Sequence, residues 1–529
     1  MAKVLISDKL SSKAEEIFKK NNIDVTINTE LSPEQLSETI NDFDGLAIRS
    51  NTKVTKEILK YASNLKVIGR AGIGVDNVDI EAATANGTIV MNTPFGNSIT
   101  TAEHTIALMM SLARNIPNAN SSTHQGKWEK SKYTGIELYS KILGMIGCGN
   151  IGSIVADRAK GLKMHIKVYD PYLTEERATE IGVEKVEFEE LLKVSDFITL
   201  HVPLTKSTKE IINSTSIKKM KDGVKIINCA RGGLVNENDL ADAIKSEKVS
   251  GAAFDVFSNE PAKDNVLFGL DKIVATPHLG ASTEEAQENV AIQVAEQMSN
   301  YLNNGAITNA LNIPSISAED APKLKPYIKL CEQIGKLAGQ ITETSIKNIK
   351  IEFGGQVALL NTKPLISVLI AGLLSPNMEA VNVVNAPVIA KNRNMNITSS
   401  IREKTGDYIT DINLTVETER RTRNVIGTLY GNQPRIVEVM NTRIEAELGP
   451  NMLFITNEDK PGFIGSLGSI LSNAKINIAT FHLGRTKVGG DAIALIEIDE
   501  PVSSKLIEEL NNIPHVKNVK PLNFAKNII

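Results

Sequence analysis

Cysteine is scarce in this 529-residue chain: Cys148, Cys229 and Cys331 lie far apart, without the spacing of a metal site. A disulfide framework and a cysteine-based zinc centre are therefore excluded, and the thiols read as small buried fillers in a reducing compartment. Neither sign of charge prevails, with 58 basic residues against 62 acidic ones and a net charge of -4. No dense Lys/Arg run or basic-aromatic interleaving occurs, so nucleic acid is not expected as a partner. No apolar run reaches the length of a membrane span, and Met1-Ala-Lys-Val-Leu-Ile-Ser-Asp8 passes straight into a strand without a secretory apolar region. A cytoplasmic protein without membrane attachment is expected. The chain is too long for one ordinary core, and about one domain per 150 residues suggests three or four.

What is present is organised around Lys141-Ile-Leu-Gly-Met-Ile-Gly-Cys-Gly-Asn-Ile-Gly152. Its apolar residues read as a buried strand. Gly147, Gly149 and Gly152 then fall at G-x-G-x-x-G spacing before a helical pattern, Ile151 to Gly161. A second apolar run, Met164 to Tyr169, ends in Asp170. In such a β-turn-α-β unit Gly147 permits the tight turn, Gly149 lets the backbone approach a pyrophosphate, and Gly152 lets helix and strand pack closely. Asp170 is placed to take the adenosine ribose hydroxyls. A carboxylate there repels the extra phosphate of NADP, so the cofactor expected is NAD.

Strands and helices alternate from residue 1 to about 300, which predicts α/β architecture. Arg49 follows the strand Gly45 to Ile48, and Arg70 follows the strand Leu65 to Ile68. Ligands of parallel sheets sit beyond the carboxyl ends of strands, so both arginines are placed where an anion can bind. Arg231, Glu260 and His278 each follow a further strand: Val224 to Asn228, Val249 to Asp255, and Ile273 to Thr276. Moving a hydride from a 2-hydroxy acid to nicotinamide requires a base for the hydroxyl proton and a cation for the carboxylate. His278 suits the first task by its near-neutral pKa and Arg231 the second by its bidentate fork, while Glu260 can orient the imidazole and favour its protonated form. His104, on the helix expected from Thr100 to Arg114, reads as a satisfied packing residue. The polar stretch Asn118 to Tyr139, with the only tryptophan, reads as a protruding connection and a homo-oligomer interface.

Through Gly147-Cys-Gly-Asn-Ile-Gly152, Cys229-Ala-Arg-Gly-Gly233, Asp255-Val-Phe-Ser-Asn-Glu-Pro261 and Pro277-His-Leu-Gly280, residues 1–312 resemble the D-isomer-specific 2-hydroxyacid dehydrogenases. Gly69-Arg-Ala-Gly-Ile-Gly-Val-Asp-Asn77, Asn92-Thr-Pro-Phe-Gly-Asn97 and His278-Leu-Gly-Ala-Ser-Thr283 resemble in particular the long-form branch acting on 3-phosphoglycerate. The resemblance implies NAD-dependent oxidation of 3-phospho-D-glycerate to 3-phosphohydroxypyruvate, the first step of phosphorylated L-serine biosynthesis. It assigns Arg231, Glu260 and His278 to catalysis, and Arg49, Arg70 and Lys130 to the substrate, Lys130 reaching a neighbouring subunit. Implied cofactor contacts are Ile73, Asn150, Ile151, Asp170, Val202, Cys229, Ala230, Arg231, Asp255, His278, Leu279, Gly280 and Ala281. Ile73 and Val202 stand where some members have threonine. Two other readings stay open: an oxidoreductase for a smaller acid such as glyoxylate or hydroxypyruvate, and a non-catalytic NAD-sensing regulator.

The resemblance also implies a substrate-binding domain of 1–97 plus 283–312, with a Rossmann NAD-binding domain inserted at 98–282. The Ser/Ala/Pro-rich stretch Ser315 to Pro322 reads as a linker into an α+β intervening regulatory domain, 313–448, in which Arg435 and Arg443 could contact an anion but read rather as solvated surface. Residues 449–529 read as a βαββαβ, ferredoxin-like unit. Asp459-Lys-Pro-Gly462 and Ile476-Asn-Ile-Ala479 resemble an ACT domain, which implies L-serine as an effector held by Asp459 and Asn477, and paired copies in a dimer or tetramer. Asn457 stands where compared members carry His or Tyr.

Overall fold

A computed structural model describes residues 1–378, 381–402 and 408–525, so 526–529 of the expected last domain lie outside the described residues. The first sheet is parallel, with its five strands in the order Asp24–Ile27, Lys3–Ile6, Gly45–Ile48, Val67–Arg70 and Ile89–Asn92. Gly45–Ile48 and Ile89–Asn92 are buried throughout, as strands with helices over both faces must be. One covering helix comes from far along the chain. Glu284–Asn304 returns after the second sheet and lays Val294 and Met298 against Gly69, where an added Cβ has no room.

The second sheet is also parallel, in the order Ile273–Ala275, Val249–Phe254, Val224–Asn228, Phe197–Leu200, Ile142–Ile146, His165–Tyr169 and Glu184–Lys185. Its order reverses between Ile142–Ile146 and Phe197–Leu200. That switch point opens a crevice at the carboxyl ends of the strands, where the glycine loop and Val202 emerge.

The third sheet is mixed. Asn396–Arg402 and Ile346–Gly355 run parallel, and Thr410–Thr418, Thr422–Tyr430, Gln433–Val439 and Thr442–Ala446 follow antiparallel. Helices Asp320–Ile341 and Lys363–Leu374 cover it, crossing so closely that a Cβ on Gly335 would strike the Leu369 carbonyl. The fourth sheet, in the order Ile478–Arg485, Asp491–Ile498, Asn451–Glu458 and Val516–Asn523, is antiparallel. With helices Phe463–Asn473 and Ser504–Asn511 it forms the βαββαβ unit. A single apolar core runs from Phe18 and Met298 through Leu324 and Leu337 to Leu414, Met452 and Leu495. The first, third and fourth sheets thus share a core, whereas the second has clusters of its own.

Several sequence expectations are corrected. Ser315 to Pro322 is not a free linker: Ile316 exchanges backbone hydrogen bonds with Ile307 at 2.7 and 2.6 Å, and the next helix begins at Asp320. Pro322 fits its first turn, where no intrahelical N–H bond is due. The polar connection contains a helix, Ile116–His124, with proline in its first turn. Arg70 is the last residue of its strand rather than beyond it. Asn396–Arg402, Gln433–Val439 and Thr442–Ala446 were not expected as strands. The first is an almost wholly exposed edge without apolar alternation, and the second contains Pro434. Among the described residues no helix is long and apolar enough to cross a membrane.

Candidate active site

The three motif glycines meet different demands. Gly147 has φ 93°, and a Cβ there would lie 2.5 Å from the His201 carbonyl oxygen and 2.7 Å from Val202 Cγ1. A Cβ on Gly152 would lie 2.7 Å from the Gly147 carbonyl oxygen, so helix and loop touch through bare backbone. Gly149 is different: a Cβ there would meet no protein atom within 4 Å. Nothing among the described residues requires glycine at that point. A ligand pressed against the loop would. Gly149 also caps the helix Asn150–Gly161 without a side-chain hydrogen bond, leaving the first amide groups, Asn150 and Ile151 among them, for an anion. Asp170 lies at the lip, where Oδ2 accepts the Cys148 amide at 2.8 Å and Oδ1 the Tyr172 amide at 2.9 Å. These residues fit the pyrophosphate and ribose of a dinucleotide.

Farther along the crevice, His278 Nδ1 lies 2.7 Å from Glu260 Oε2. Glu260 Oε1 accepts the Phe257 amide at 2.9 Å, which fixes the carboxylate that orients the imidazole. The hydrogen bond to Glu260 raises the His278 pKa above its ordinary value against the opposing effect of burial. Burial also works against ionised Glu260, but hydrogen bonds from His278 and Phe257 prevail and its pKa is lowered. The pair is thus a carboxylate beside a readily protonated imidazole.

Asp255 is fully buried and accepts the amides of Leu279 at 2.7 Å and Gly280 at 2.8 Å. It thereby ties down the loop that follows His278; half-buried Ala281 ends that loop. Cys229 is buried, its thiol pushed up to about 12 by burial, and so is no nucleophile; the neighbouring Ala230 carbonyl accepts from Arg231 Nη1 at 2.6 Å.

The cations converge. Arg231 Nε donates to Asp76 Oδ2 at 3.1 Å, linking the second sheet's turn to a loop of the first sheet. Arg70 is largely buried. Its Nε has no acceptor, and its guanidinium is pushed down to about 10 by burial first, then by the charges of Arg231 and Arg49. Asp76 and Asp8 oppose that effect. Asp8, itself buried, accepts the Arg49 amide at 2.6 Å and so sets where that residue leaves its strand. Arg231 also bears on His278. Arg49, Arg70, Arg231, Glu260 and His278 therefore share one electrostatic neighbourhood, with Asp8, Asp76 and Asp255 as its further charges, and its three guanidiniums suit a multiply charged small anion. Ile73 lines the same loop, its carbonyl accepting from Asn92 Nδ2 at 2.8 Å.

Three expected residues lie elsewhere. Lys130 is exposed on the 3-10 turn Lys130–Tyr133, beside Trp128, which is 88% exposed. Asp459 is held by Arg485 Nη1 at 2.8 Å and the Gly489 amide at 3.0 Å, and Asn477 donates to Asp499 at 2.8 Å. Asp8, Asp76 and His104 were not read as site residues. Asp76 lies inside a quoted motif, but no sequence signal names its partner. Among the described residues no group of three or more His, Cys, Asp or Glu side chains could hold a metal ion.

Known proteins resemble this chain in sequence and in fold. Family models match at residues 106–280, the NAD binding domain of D-isomer specific 2-hydroxyacid dehydrogenases; at 323–440, the D-3-phosphoglycerate dehydrogenase intervening domain; and at 451–515, the ACT domain. The D-3-phosphoglycerate dehydrogenase of Methanocaldococcus jannaschii is 43% identical over 528 residues, covering 99% of this chain and 100% of its own. The chain belongs to the D-3-phosphoglycerate dehydrogenases. Within that family the Bacillus subtilis enzyme is 40% identical, covering 98% of this chain and 99% of its own. Among solved structures, a glyoxylate reductase from Paecilomyes thermophila superposes with a TM-score of 0.55 at 28% identity, covering 59% of this chain and 98% of its own. D-lactate dehydrogenase from Escherichia coli gives 0.52 at 28%, covering 59% and 100%. The wider dehydrogenase fold thus accounts for the first two sheets, and the family-specific domain models for the rest.

Proposed function

We infer that the chain is an NAD-dependent oxidoreductase that converts 3-phospho-D-glycerate to 3-phosphohydroxypyruvate, opening phosphorylated L-serine biosynthesis. The observation that carries the substrate is the buried Arg70 guanidinium, crowded by Arg231 and Arg49 and lacking an acceptor at Nε. Burying like charges together is costly unless an anion answers them. A substrate with both carboxylate and phosphate does so better than glyoxylate or hydroxypyruvate.

The cofactor's phosphates sit on the N-terminus of the helix Asn150–Gly161, a reading that the fit of Gly147, Gly149, Gly152 and Asp170 to a dinucleotide supports. Bound NAD supplies the hydride acceptor. His278 removes the proton of the substrate hydroxyl, and Glu260 holds the ring and stabilises the imidazolium formed. Arg231 grips the carboxylate and polarises the developing carbonyl oxygen. Arg49 and Arg70 hold the phosphate. Asp255 holds the loop from which His278 projects. In the reverse direction the same imidazolium returns the proton.

The same reading divides the chain into a substrate-binding domain (1–97 and 283–312), an NAD-binding domain (98–282), an intervening domain (313–448) and an ACT domain (449–529). The four sheets and the matched spans support it. L-serine binds the last domain through Asp459 and Asn477 as a feedback effector, with Arg485 as the competitor its ammonium group must displace from Asp459. Exposed Trp128 and Lys130 support a homo-oligomer in which the 126–132 segment enters a neighbouring site. Steady-state kcat/KM for 3-phosphoglycerate and glycerate, with NAD and NADP, tests the assignment. A large preference for the phosphorylated acid and for NAD is expected, and equal use of glycerate would refute the phosphate site.

A further inference from the structure

His104, on the helix Ser98–Ala113, has a more specific setting than a packing residue requires. Its Nε2 lies 3.2 Å from Asp255 Oδ1 and 3.2 Å from Thr276 Oγ1. Thr276 donates its hydroxyl proton to the same Asp255 oxygen, at 2.6 Å. The hydroxyl can therefore only accept from the imidazole, and the proton belongs on His104 Nε2. Among the described residues His104 is the one nitrogen-bearing side chain in direct contact with Asp255.

Asp255 also holds the amides of Leu279 and Gly280, the two residues after His278. His278 has φ 56°, in the left-handed region that residues with side chains rarely enter. The grip on the next two amides keeps it there. A chain of contacts thus runs from His104 to Asp255 to the backbone that aims the proton-transfer imidazole.

We propose that His104 is a positioning residue for His278, acting through Asp255 to fix the 276–280 loop and to moderate the negative charge that the His278 ring feels. The proposal rests on the reading of His278 as proton acceptor. The groups facing His278 are Glu260 and Asp255, which favour its protonated form, and Arg231, which opposes it. Those facing Asp255 are His104, Thr276, the Leu279 and Gly280 amides, the Cys229 thiol and, by charge alone, Glu260 and His278. Removing His104 leaves more of the Asp255 charge uncompensated, so His278 holds its proton more tightly. Oxidation needs the neutral ring, and its acid limb must move to higher pH.

The test uses the full-length protein with His104→Leu, which removes the donor, and His104→Gln, which restores a neutral one. For His104→Leu, kcat for 3-phosphoglycerate oxidation should fall about tenfold with KM changed less than about twofold. The acid limb of kcat/KM should rise by about half a pH unit, and an NMR titration of histidine-labelled protein should show His278 moving by the same amount. His104→Gln should recover kcat to within about threefold of the parent. Parental kcat and an unmoved His278 titration in His104→Leu would overturn the proposal. So would an equal loss in both variants with the titration unmoved, which marks a general disturbance of the helix. Should the parent itself fail to oxidise 3-phosphoglycerate, the substrate assignment falls, and the His278 titration still decides the role of His104.

Discussion

Glu260→Gln removes a charge 2.7 Å from His278 Nδ1 while keeping a side chain of nearly the same shape. The His278 and Glu260 side chains are 53% and 33% exposed, so the pair is neither dry nor fully solvated. Two unit charges about 4 Å apart interact by about 4 kcal/mol at an effective dielectric of 20 and about 1 kcal/mol in water. Partial exposure places this pair near the lower end, at roughly 1.5 kcal/mol. The hydrogen bond and charge of Glu260 raise the His278 pKa, so losing the charge lowers it. Oxidation requires neutral His278, and the acid limb of its kcat/KM profile should therefore move toward lower pH. Reduction requires the imidazolium, so its alkaline limb should move the same way and its rate above neutrality should fall about tenfold. Stopped-flow absorbance of NADH in both directions across pH 5 to 10, roughly the range over which a perturbed histidine titrates, measures both limbs. Limbs that stay in place, or move upward, would refute the coupling of this pair to proton transfer.

Arg70→Met should raise KM for 3-phosphoglycerate about tenfold or more while leaving NADH affinity unchanged, as read by initial rates and cofactor fluorescence. The melting temperature should hold or rise, because a buried cation repelled by Arg231 and Arg49 is removed; a marked fall would show that the charge is structural. Gly149→Ala should weaken NADH binding about tenfold with little change in melting temperature, since the added methyl meets no protein atom. Gly147→Ala should instead destabilise the fold by about 1–3 kcal/mol in urea melts, because φ is 93° and the His201 carbonyl lies in the way. Equal effects of the two substitutions would contradict the division of labour among the glycines.

Much of the nucleotide site was legible because its demands are local. Tight turn, close packing and ligand approach each select glycine at a fixed offset, and Asp170 closes the unit one strand later. Arg231, Glu260 and His278 were legible for a related reason: each follows a strand of a parallel sheet, and such strands end on one side. Partners far apart in the chain left no such trace. The Arg231 to Asp76 contact spans 155 positions, and the His104 to Asp255 contact 151. A lone histidine on an apolar helix looks the same whether it fills space or holds a carboxylate. Periodicity likewise missed Asn396–Arg402, whose exposed residues have no buried face to mark, and the linker reading of Ser315 to Pro322 overran the helix start at Asp320 because Pro322 resembles a breaker. Asp459 was legible as an acid at a turn, but its neutralisation by Arg485 was not.

The central claim is direct hydride transfer from C2 of 3-phosphoglycerate, driven by proton removal at His278. Incubation of the enzyme with NAD and 3-phosphoglycerate deuterated at C2, followed by mass spectrometry of the reduced cofactor, tests it most directly. One deuterium per NADH is predicted for the parent, with formation slowed about a thousandfold in His278→Ala although NADH still binds. NADH without deuterium, or undiminished turnover in His278→Ala, would contradict it.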